Sequence, residues 1–263
     1  MSAPSRVDAF RRLAPPGPKL CKICRNVSPL VGTIDFNKSC VEFQGTFLPS
    51  RGIAIDYNRC PVCGFLFTAA FDGWSKHDFL ETIYNDDYIL VDPDYRDVRP
   101  QVNLAFLSDL FADHRSELAI LDYGGGNGAL ASLLRGAGFA ADTYDPLVAE
   151  FSTLPVRRYP LICSFETLEH TPDPRATIRE MSALLADSGI IIFSTLVQPD
   201  DFESKGLDWW YVGPRNGHVS LFSRRSLQFA WRREGLRYGS FANSSGPGNY
   251  DQCFLLVHSS VSP

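Results

Sequence analysis

The stretch Ile120-Leu121-Asp122-Tyr123-Gly124-Gly125-Gly126-Asn127-Gly128 decides how the rest of this 263-residue chain is read. An apolar run beginning at Leu118 ends in a carboxylate, then in four glycines over five positions, and an Ala/Leu-rich segment follows from Ala129. That order predicts a buried strand, a turn sharp enough to need glycine, and a helix. Outward from it the same alternation continues. A helix is expected from Ala129 to Gly138, a short strand ending at Tyr144-Asp145, an apolar strand from Leu161 to Phe165 and a helix from Pro174 to Ala186. A strand from Gly189 to Thr195, a helix from Ser226 to Glu234 and closing strands at Leu236 to Ala242 and Gln252 to His258 complete the series. Strands alternating with helices are the sequence form of a mostly parallel sheet with crossover helices, an α/β fold. Between Asp145 and Tyr159 the chain is short for a helix plus a strand, so the sheet is expected to be abbreviated after its second strand.

The glycine string fits G-x-G-x-x-A through Gly124, Gly126 and Ala129, and also D-x-G-x-G-x-G through Asp122, Gly124, Gly126 and Gly128. The second pattern is the more demanding. A pyrophosphate beside the Asp122 carboxylate would be repelled, whereas the cationic end of a cofactor would be attracted. The loop therefore favours S-adenosylmethionine, with an NAD-dependent oxidoreductase as the competing reading. Asp145, 23 residues after Asp122, ends the next strand, where a carboxylate can accept both hydroxyls of a ribose; this suits either cofactor.

Composition narrows the class of protein. With 44% hydrophobic and 13% aromatic residues the chain can bury a full core, which excludes intrinsic disorder. No window reaches the roughly 20 apolar residues of a membrane span, and the first residues lack a secretory apolar core, so a cytoplasmic location is expected. A net charge of −5 and a pI near 5.5 argue against general attachment to nucleic acid or anionic membrane and point to a small-molecule partner. Arg224, Arg225, Arg232, Arg233 and Arg237 read as a solvated helix face.

Four of the seven cysteines form two C-x-x-C pairs, Cys21 with Cys24 and Cys60 with Cys63. In a reduced compartment such pairs predict a closed, tetrahedral, structural zinc site. Cys40 is a competitor for one position, and Cys163 and Cys253 read as buried thiols in apolar strands. The resulting division is a flexible lead-in at 1–18, a zinc-ribbon-like module at 19–70, a helical linker or cap at 71–115, and the α/β domain at 116–263. Within the module, Val41 to Leu48 and Gly64 to Thr68 are β-prone.

The strings ILDYGGGNG (120–128), YDP (144–146), LICSFETLEHTPDP (161–174) and SGIIIFST (188–195) together resemble class I S-adenosylmethionine-dependent methyltransferases of the type 11/12/23 kind, from about Phe106 onward. The resemblance implies a Rossmann-like fold with a seven-stranded type of sheet. It also implies that Asp122, Gly124, Gly126 and Gly128 hold the methionine part of the cofactor, that Asp145 binds the ribose, and that Phe165 and Glu166 border it. Cysteine pairs ahead of such a domain are similar to those of sugar C-methyltransferases, although their extra C-terminal domain is not expected here.

The acceptor side is expected at the carboxyl edge of the sheet. Glu166, Glu169 and His170 lie within five residues there, and with the distant His218 they resemble the E-x-x-E-H plus His pattern of magnesium- or manganese-dependent methyltransferases of small-RNA 3′ ends. A second candidate metal set is thus Glu166, Glu169, His170 and His218; the competing reading has Glu169 and His170 supporting the cofactor edge. Trp209, Trp210, Tyr211 and Arg215 suit an acceptor lid, and His218 is the preferred base, with Glu169 and His170 as its companions. The reaction expected is methyl transfer to a hydroxyl of a sugar, lipid or secondary metabolite. The alternatives are an RNA 3′-end 2′-O-methyltransferase, the NAD enzyme, and a zinc-module adaptor with a degenerate methyltransferase fold.

Overall fold

The computed structural model describes residues 9–10, 13–241 and 253–258. Its strands, in chain order, are β1 (Lys19–Leu20), β2 (Val27–Ser28), β3 (Leu30–Asp35), β4 (Ala54–Arg59), β5 (Leu66–Phe67), β6 (Ala119–Tyr123), β7 (Ala140–Tyr144), β8 (Tyr159–Phe165), β9 (Leu185–Ser194), β10 (Ser220–Leu221), β11 (Leu236–Phe241) and β12 (Cys253–His258). The chain divides into two compact units. One comprises the chain up to Pro93 together with Glu169–Arg175 and Val197–Phe229; the other comprises Asp94–Leu168, Ala176–Leu196 and the chain from Ala230 onward.

The second unit carries a six-stranded sheet in the order β11-β12-β9-β8-β6-β7. Strands β7, β6, β8 and β9 pair in parallel, and β12 runs antiparallel to both β9 and β11. This is the expected mostly parallel α/β sheet, and it is abbreviated where the sequence is short: between Asp145 and Tyr159 only a single 3₁₀ turn, Ala149–Phe151, is present. The core forms because the strand residues facing the helices are apolar. Ile120, Leu161, Cys163 and Ile192 pack with Leu107 from the helix Val98–Leu110 and with Leu130, Ala131 and Leu134 from the helix Ala129–Gly136. Each such aliphatic side chain contributes about 1.5–3 kcal/mol on burial. Cys163, fully buried, is an ordinary core thiol as expected. The side chain of Cys253 and positions Ala242 and Gln252 lie outside the described residues, as does much of the 1–18 lead-in. The helix Pro174–Leu184 begins on proline, which suits the first helical position because its missing N–H would be unpaired there anyway.

The first unit holds a four-stranded antiparallel sheet, β10-β5-β4-β3, and a two-stranded ribbon, β1-β2. Val41 to Leu48 is not a strand: a 3₁₀ helix occupies Cys40–Gln44. The Ser39 amide donates to the Glu42 carboxylate at 3.2 Å and Gly45 leaves the turn in the left-handed region, so local capping overrides β propensity. The short helix Lys76–Thr82 is closed by a capping box, with Asp78 N donating to Ser75 Oγ and Ser75 N to Asp78 Oδ2. Arg224, Arg225 and Arg232 lie on the exposed side of the helix Arg224–Arg232, opposite the buried Leu227, Ala230 and Trp231, which is the solvated face expected. Among the described residues no helix is long and apolar enough to cross a membrane.

Candidate functional site

The glycine loop sits at the carboxyl end of β6, where Gly124 N donates to Tyr144 O at 2.7 Å and so ties the loop to the end of β7. Gly124 has φ +76, and a Cβ there would lie 2.4 Å from Thr167 Cγ2, so no other residue fits without displacement. At Gly126 (φ +55) an added Cβ meets nothing within 4 Å; the loop faces open space at that point.

Asp122 is buried at the base of the loop, and its Oδ2 has no hydrogen-bond partner. Burial, with the nearby Asp145 charge, pushes its carboxyl up to about 7. A buried carboxylate of this kind beside an open glycine loop fits a ligand that brings a cationic donor. Asp145 accepts from Gly126 N at 2.9 Å and from Leu147 N at 2.8 Å, so it orders the loop from the end of β7. Phe165 packs edge-on to Phe106, with ring centroids 6.4 Å apart. Glu166 follows in the left-handed region (φ +48), and its carboxylate accepts from Ser194 Oγ at 2.8 Å. A non-glycine residue at positive φ is strained, and strain of this kind concentrates at functional turns.

In the first unit two groups of side chains could hold a metal. The sulfurs of Cys21, Cys24, Cys60 and Cys63 lie within 4.8 Å of one another. Cys21 and Cys63 are 3.5 Å apart and Cys24 and Cys60 3.3 Å. Backbone amides face the sulfurs: Ile23 N and Cys24 N donate to Cys21 Sγ at 3.4 Å, and Cys63 N donates to Cys60 Sγ at 3.5 Å. Each pair is followed by a residue in the left-handed region, Arg25 (φ 67) and Gly64 (φ 75), the turn that lets those amides point inward. The hydrogen bond with Cys63 holds the Cys21 thiol down at about 5 and pushes that of Cys63 upward. Four thiols with inward amides fit a tetrahedral thiophilic ion. Cys40 is not among them.

The second group is Glu169, His170 and His218, whose ligand atoms lie within 4.8 Å of one another. Glu166 belongs to the other unit and is not part of this group. Glu169 is fully buried; it accepts a short hydrogen bond from the Tyr211 hydroxyl, and its backbone carbonyl accepts from Val219 N at 2.8 Å. The His218 ring packs tilted against Tyr211 with ring centroids 4.2 Å apart and lies 4.9 Å from the His170 ring. Its Nδ1 is 2.8 Å from the Tyr211 carbonyl oxygen. That oxygen only accepts, so Nδ1 carries a proton; in the neutral ring Nε2 then carries the lone pair. Gly217, at φ +86, allows the close approach: a Cβ there would sit 2.7 Å from the Tyr84 hydroxyl and 3.3 Å from His170 Nδ1. Cys40 Sγ lies 3.5 Å from His218 Nδ1.

A profile described as a methyltransferase domain matches residues 95–240. The chain belongs to this family. Its members are class I S-adenosylmethionine-dependent methyltransferases, as the loop and sheet implied. Among solved structures, the chain is similar to an S-adenosylmethionine-bound amino pentose methyltransferase from Micromonospora echinaspora (11% identity, 67% of this chain and 98% of that one, TM-score 0.48). It is also similar to magnesium protoporphyrin IX methyltransferase from Synechocystis PCC 6803 with SAH bound (18%, 72% and 97%, 0.46) and to a Streptomyces venezuelae protein, DesVI (15%, 66% and 96%, 0.45). No curated protein matches the sequence.

Within this methyltransferase the aromatic segment after β9 has divided roles. Trp209 is buried against Phe202 and Tyr211, whereas Trp210 is half-buried against the exposed Phe43. Arg215 is buried and donates to Ile83 O at 2.9 Å and to Asn85 Oδ1 at 3.4 Å. Three residues near His218 have no signal in the sequence. These are Cys40, Tyr57, whose hydroxyl donates to His218 O at 2.7 Å, and Lys38, whose ammonium donates to Trp209 O at 3.2 Å and Val212 O at 2.6 Å. All lie in the cysteine-bearing segment, some 160 or more residues away along the chain, where no local pattern could reveal them.

Proposed function

We propose that this methyltransferase acts on a hydroxyl of a small biosynthetic acceptor, of the sugar, lipid or secondary-metabolite class, with His218 as the base. The observation that carries this reading is the orientation of the imidazole. Tyr211 O holds a proton on Nδ1, so that in the neutral ring Nε2 is the basic nitrogen. Glu169 lies beside the pair and, when ionised, would favour imidazolium once the proton has moved. His170 lines the same group, and Trp210, with Tyr84 near His170, supplies aromatic wall for a ring-shaped or apolar acceptor body.

S-adenosylmethionine, when bound, supplies an electrophilic methyl on a sulfonium. Asp122 and the glycines at 124, 126 and 128 would hold its methionine part, Asp145 its ribose, and Phe165 and Glu166 its border. The protein's own work is alignment, exclusion of water and removal of one proton. Cys21, Cys24, Cys60 and Cys63 would hold a structural zinc, and their use of free thiolates supports a reducing, cytoplasmic setting.

Calorimetric titration with S-adenosylhomocysteine and transfer of a labelled methyl from S-adenosylmethionine to a panel of hydroxylated acceptors test the reading. Micromolar binding with transfer that is lost in His218→Gln supports it. Binding without transfer across the panel favours an adaptor instead. A second reading rests on the clustering of Glu169, His170 and His218, which would accommodate a divalent ion that lowers the pKa of the acceptor hydroxyl. Transfer abolished by chelation and restored by magnesium or manganese, with the cysteine-bound metal retained, would favour it.

A further inference from the structure

We propose that Lys38 and Tyr57, both from the cysteine-bearing segment, are positioning residues that set the protonation pattern of the acceptor-side imidazole. The inference deepens the reading of His218 as base and rests on it in that respect alone; the hydrogen-bond mount itself stands on geometry.

The turn Trp209 to Val212 aims the Tyr211 carbonyl at His218 Nδ1, and that contact fixes the proton. A bare turn would have freedom to rotate this peptide. Here Lys38 Nζ binds the carbonyls at the two ends of the turn, Trp209 two residues before Tyr211 and Val212 one after, and Val212 N closes the turn on Trp209 O at 3.0 Å. With both ends of the turn pinned, the Tyr211 carbonyl is left facing the imidazole. The Lys38 carbonyl also accepts from Arg215 N at 3.2 Å, which joins the lysine backbone to the segment just beyond the turn. Lys38 is half-buried, and desolvation lowers its pKa while the charges of Glu42, Cys40 and Asp208 raise it. An ammonium in such a place is costly unless its donors are used, and two of its three are used on this turn.

Tyr57 holds the other end. Its ring is fully buried, and its hydroxyl donates at 2.7 Å to the carbonyl of His218 itself. One residue further on, Thr68 N donates to Val219 O at 3.0 Å, and then β10 pairs with β5, Ser220 opposite Phe67. The imidazole is thus fixed at its ring nitrogen through Lys38 and at its backbone through Tyr57. Free imidazole has two neutral tautomers, and only the one with its proton on Nδ1 presents a basic Nε2.

Long-range proton–nitrogen correlation spectra of the nitrogen-labelled protein read the tautomer directly, with the His218 signals assigned by their loss in His218→Gln. The wild-type protein is expected to show His218 protonated on Nδ1. Lys38→Met, which keeps the length and removes the donors, should move proton population to Nε2. Lys38→Arg, which keeps donors, should restore the wild-type pattern. Tyr57→Phe, which removes one hydroxyl and keeps the ring, should likewise mix the tautomers and serves if Lys38→Met does not fold. Metal content and S-adenosylhomocysteine affinity should match wild type in every variant scored, which separates loss of the mount from loss of the fold. A wild-type His218 protonated on Nε2, or a tautomer unchanged in both Lys38→Met and Tyr57→Phe, overturns the proposal. Failure of S-adenosylhomocysteine to bind would instead overturn the methyl-transfer reading, and leaves the tautomer result standing by itself.

Discussion

Asp122 offers the sharpest quantitative consequence of the cofactor loop. Its carboxyl is buried, faces the charge of Asp145 and lies near the Cys163 thiol, itself pushed up by burial and by Asp122; burial first and Asp145 second raise its pKa from 3.8 to about 7. In the unfolded chain the same group ionises near its ordinary value. Stability from this group is therefore fully present below about pH 4 and is lost as the pH rises through about 7, because the unfolded chain releases its proton first. Each unit of that interval is worth up to about 1.4 kcal/mol, so raising the pH from about 5 to about 7 should cost the folded state about 2 kcal/mol through Asp122 alone. Asp122→Asn keeps the shape and removes the titration. The assay is thermal or urea unfolding of both proteins across this range without ligand. The variant should gain on the wild type by about 2 kcal/mol over the two pH units, roughly several degrees in Tm, while losing cofactor affinity. Taking the difference cancels the other carboxylates. A wild-type-minus-variant difference that stays flat with pH would refute the assignment of Asp122 as a buried, charge-starved carboxylate.

Three further outcomes are expected. Cys60→Ser should lower zinc content and melting temperature together, as measured by metal analysis and calorimetry; unchanged stoichiometry would remove the zinc assignment. Asp145→Ala should weaken S-adenosylhomocysteine binding by about 1–3 kcal/mol in a calorimetric titration, since both the proposed ribose contact and the bond to Gly126 N would be lost. Gly126→Ala should lose only the about 1–2 kcal/mol of its left-handed φ, because its new Cβ meets no protein atom, yet lose cofactor binding; Gly124→Ala, whose Cβ also collides with Thr167, should be destabilised further in unfolding experiments even without ligand. Equal loss of stability in both would mean that the loop is arranged differently.

The centre of the sheet was legible because β6 and β8 are apolar runs that end beside a glycine and a carboxylate, and such runs have one stable home. Boundaries were less so. Strand β9 starts at Leu185 rather than Gly189, since Tyr159 already pairs with Leu185 and the register then shifts before Leu161 meets Ile190. The cluster of Glu169, His170 and His218 was also within reach, because short-range spacing and a lone distant histidine suggested it. The grouping with Glu166 was drawn from adjacency in sequence, but the chain leaves β8 through a left-handed residue and Glu166 turns to Ser194 instead. Lys38, Cys40 and Tyr57 could not be foreseen, for their partners are chosen by tertiary pairing and nothing local in the sequence distinguishes them.

On the proposed reading, that tertiary pairing also ties the cysteine-bearing segment to the proposed acceptor side. In the four-stranded sheet of the first unit, β5 and β10 contain two residues each, too few for ladder hydrogen bonds to hold them unaided. Strand β5 begins three residues after Cys63, and β10 begins two residues after His218. Ser223 Oγ adds a bond to Cys63 O at 2.6 Å, and Gln198 donates to Gly64 O at 2.8 Å, so the second cysteine turn is gripped by the segment that carries the histidine. A tetrahedral ion fixing Cys60 and Cys63 would thereby help to fix the register of β5, and so, together with the Tyr57 and Lys38 hydrogen bonds, the position of His218. Such a staple would do no chemistry itself, but the imidazole proposed as base would depend on where the staple holds its neighbour.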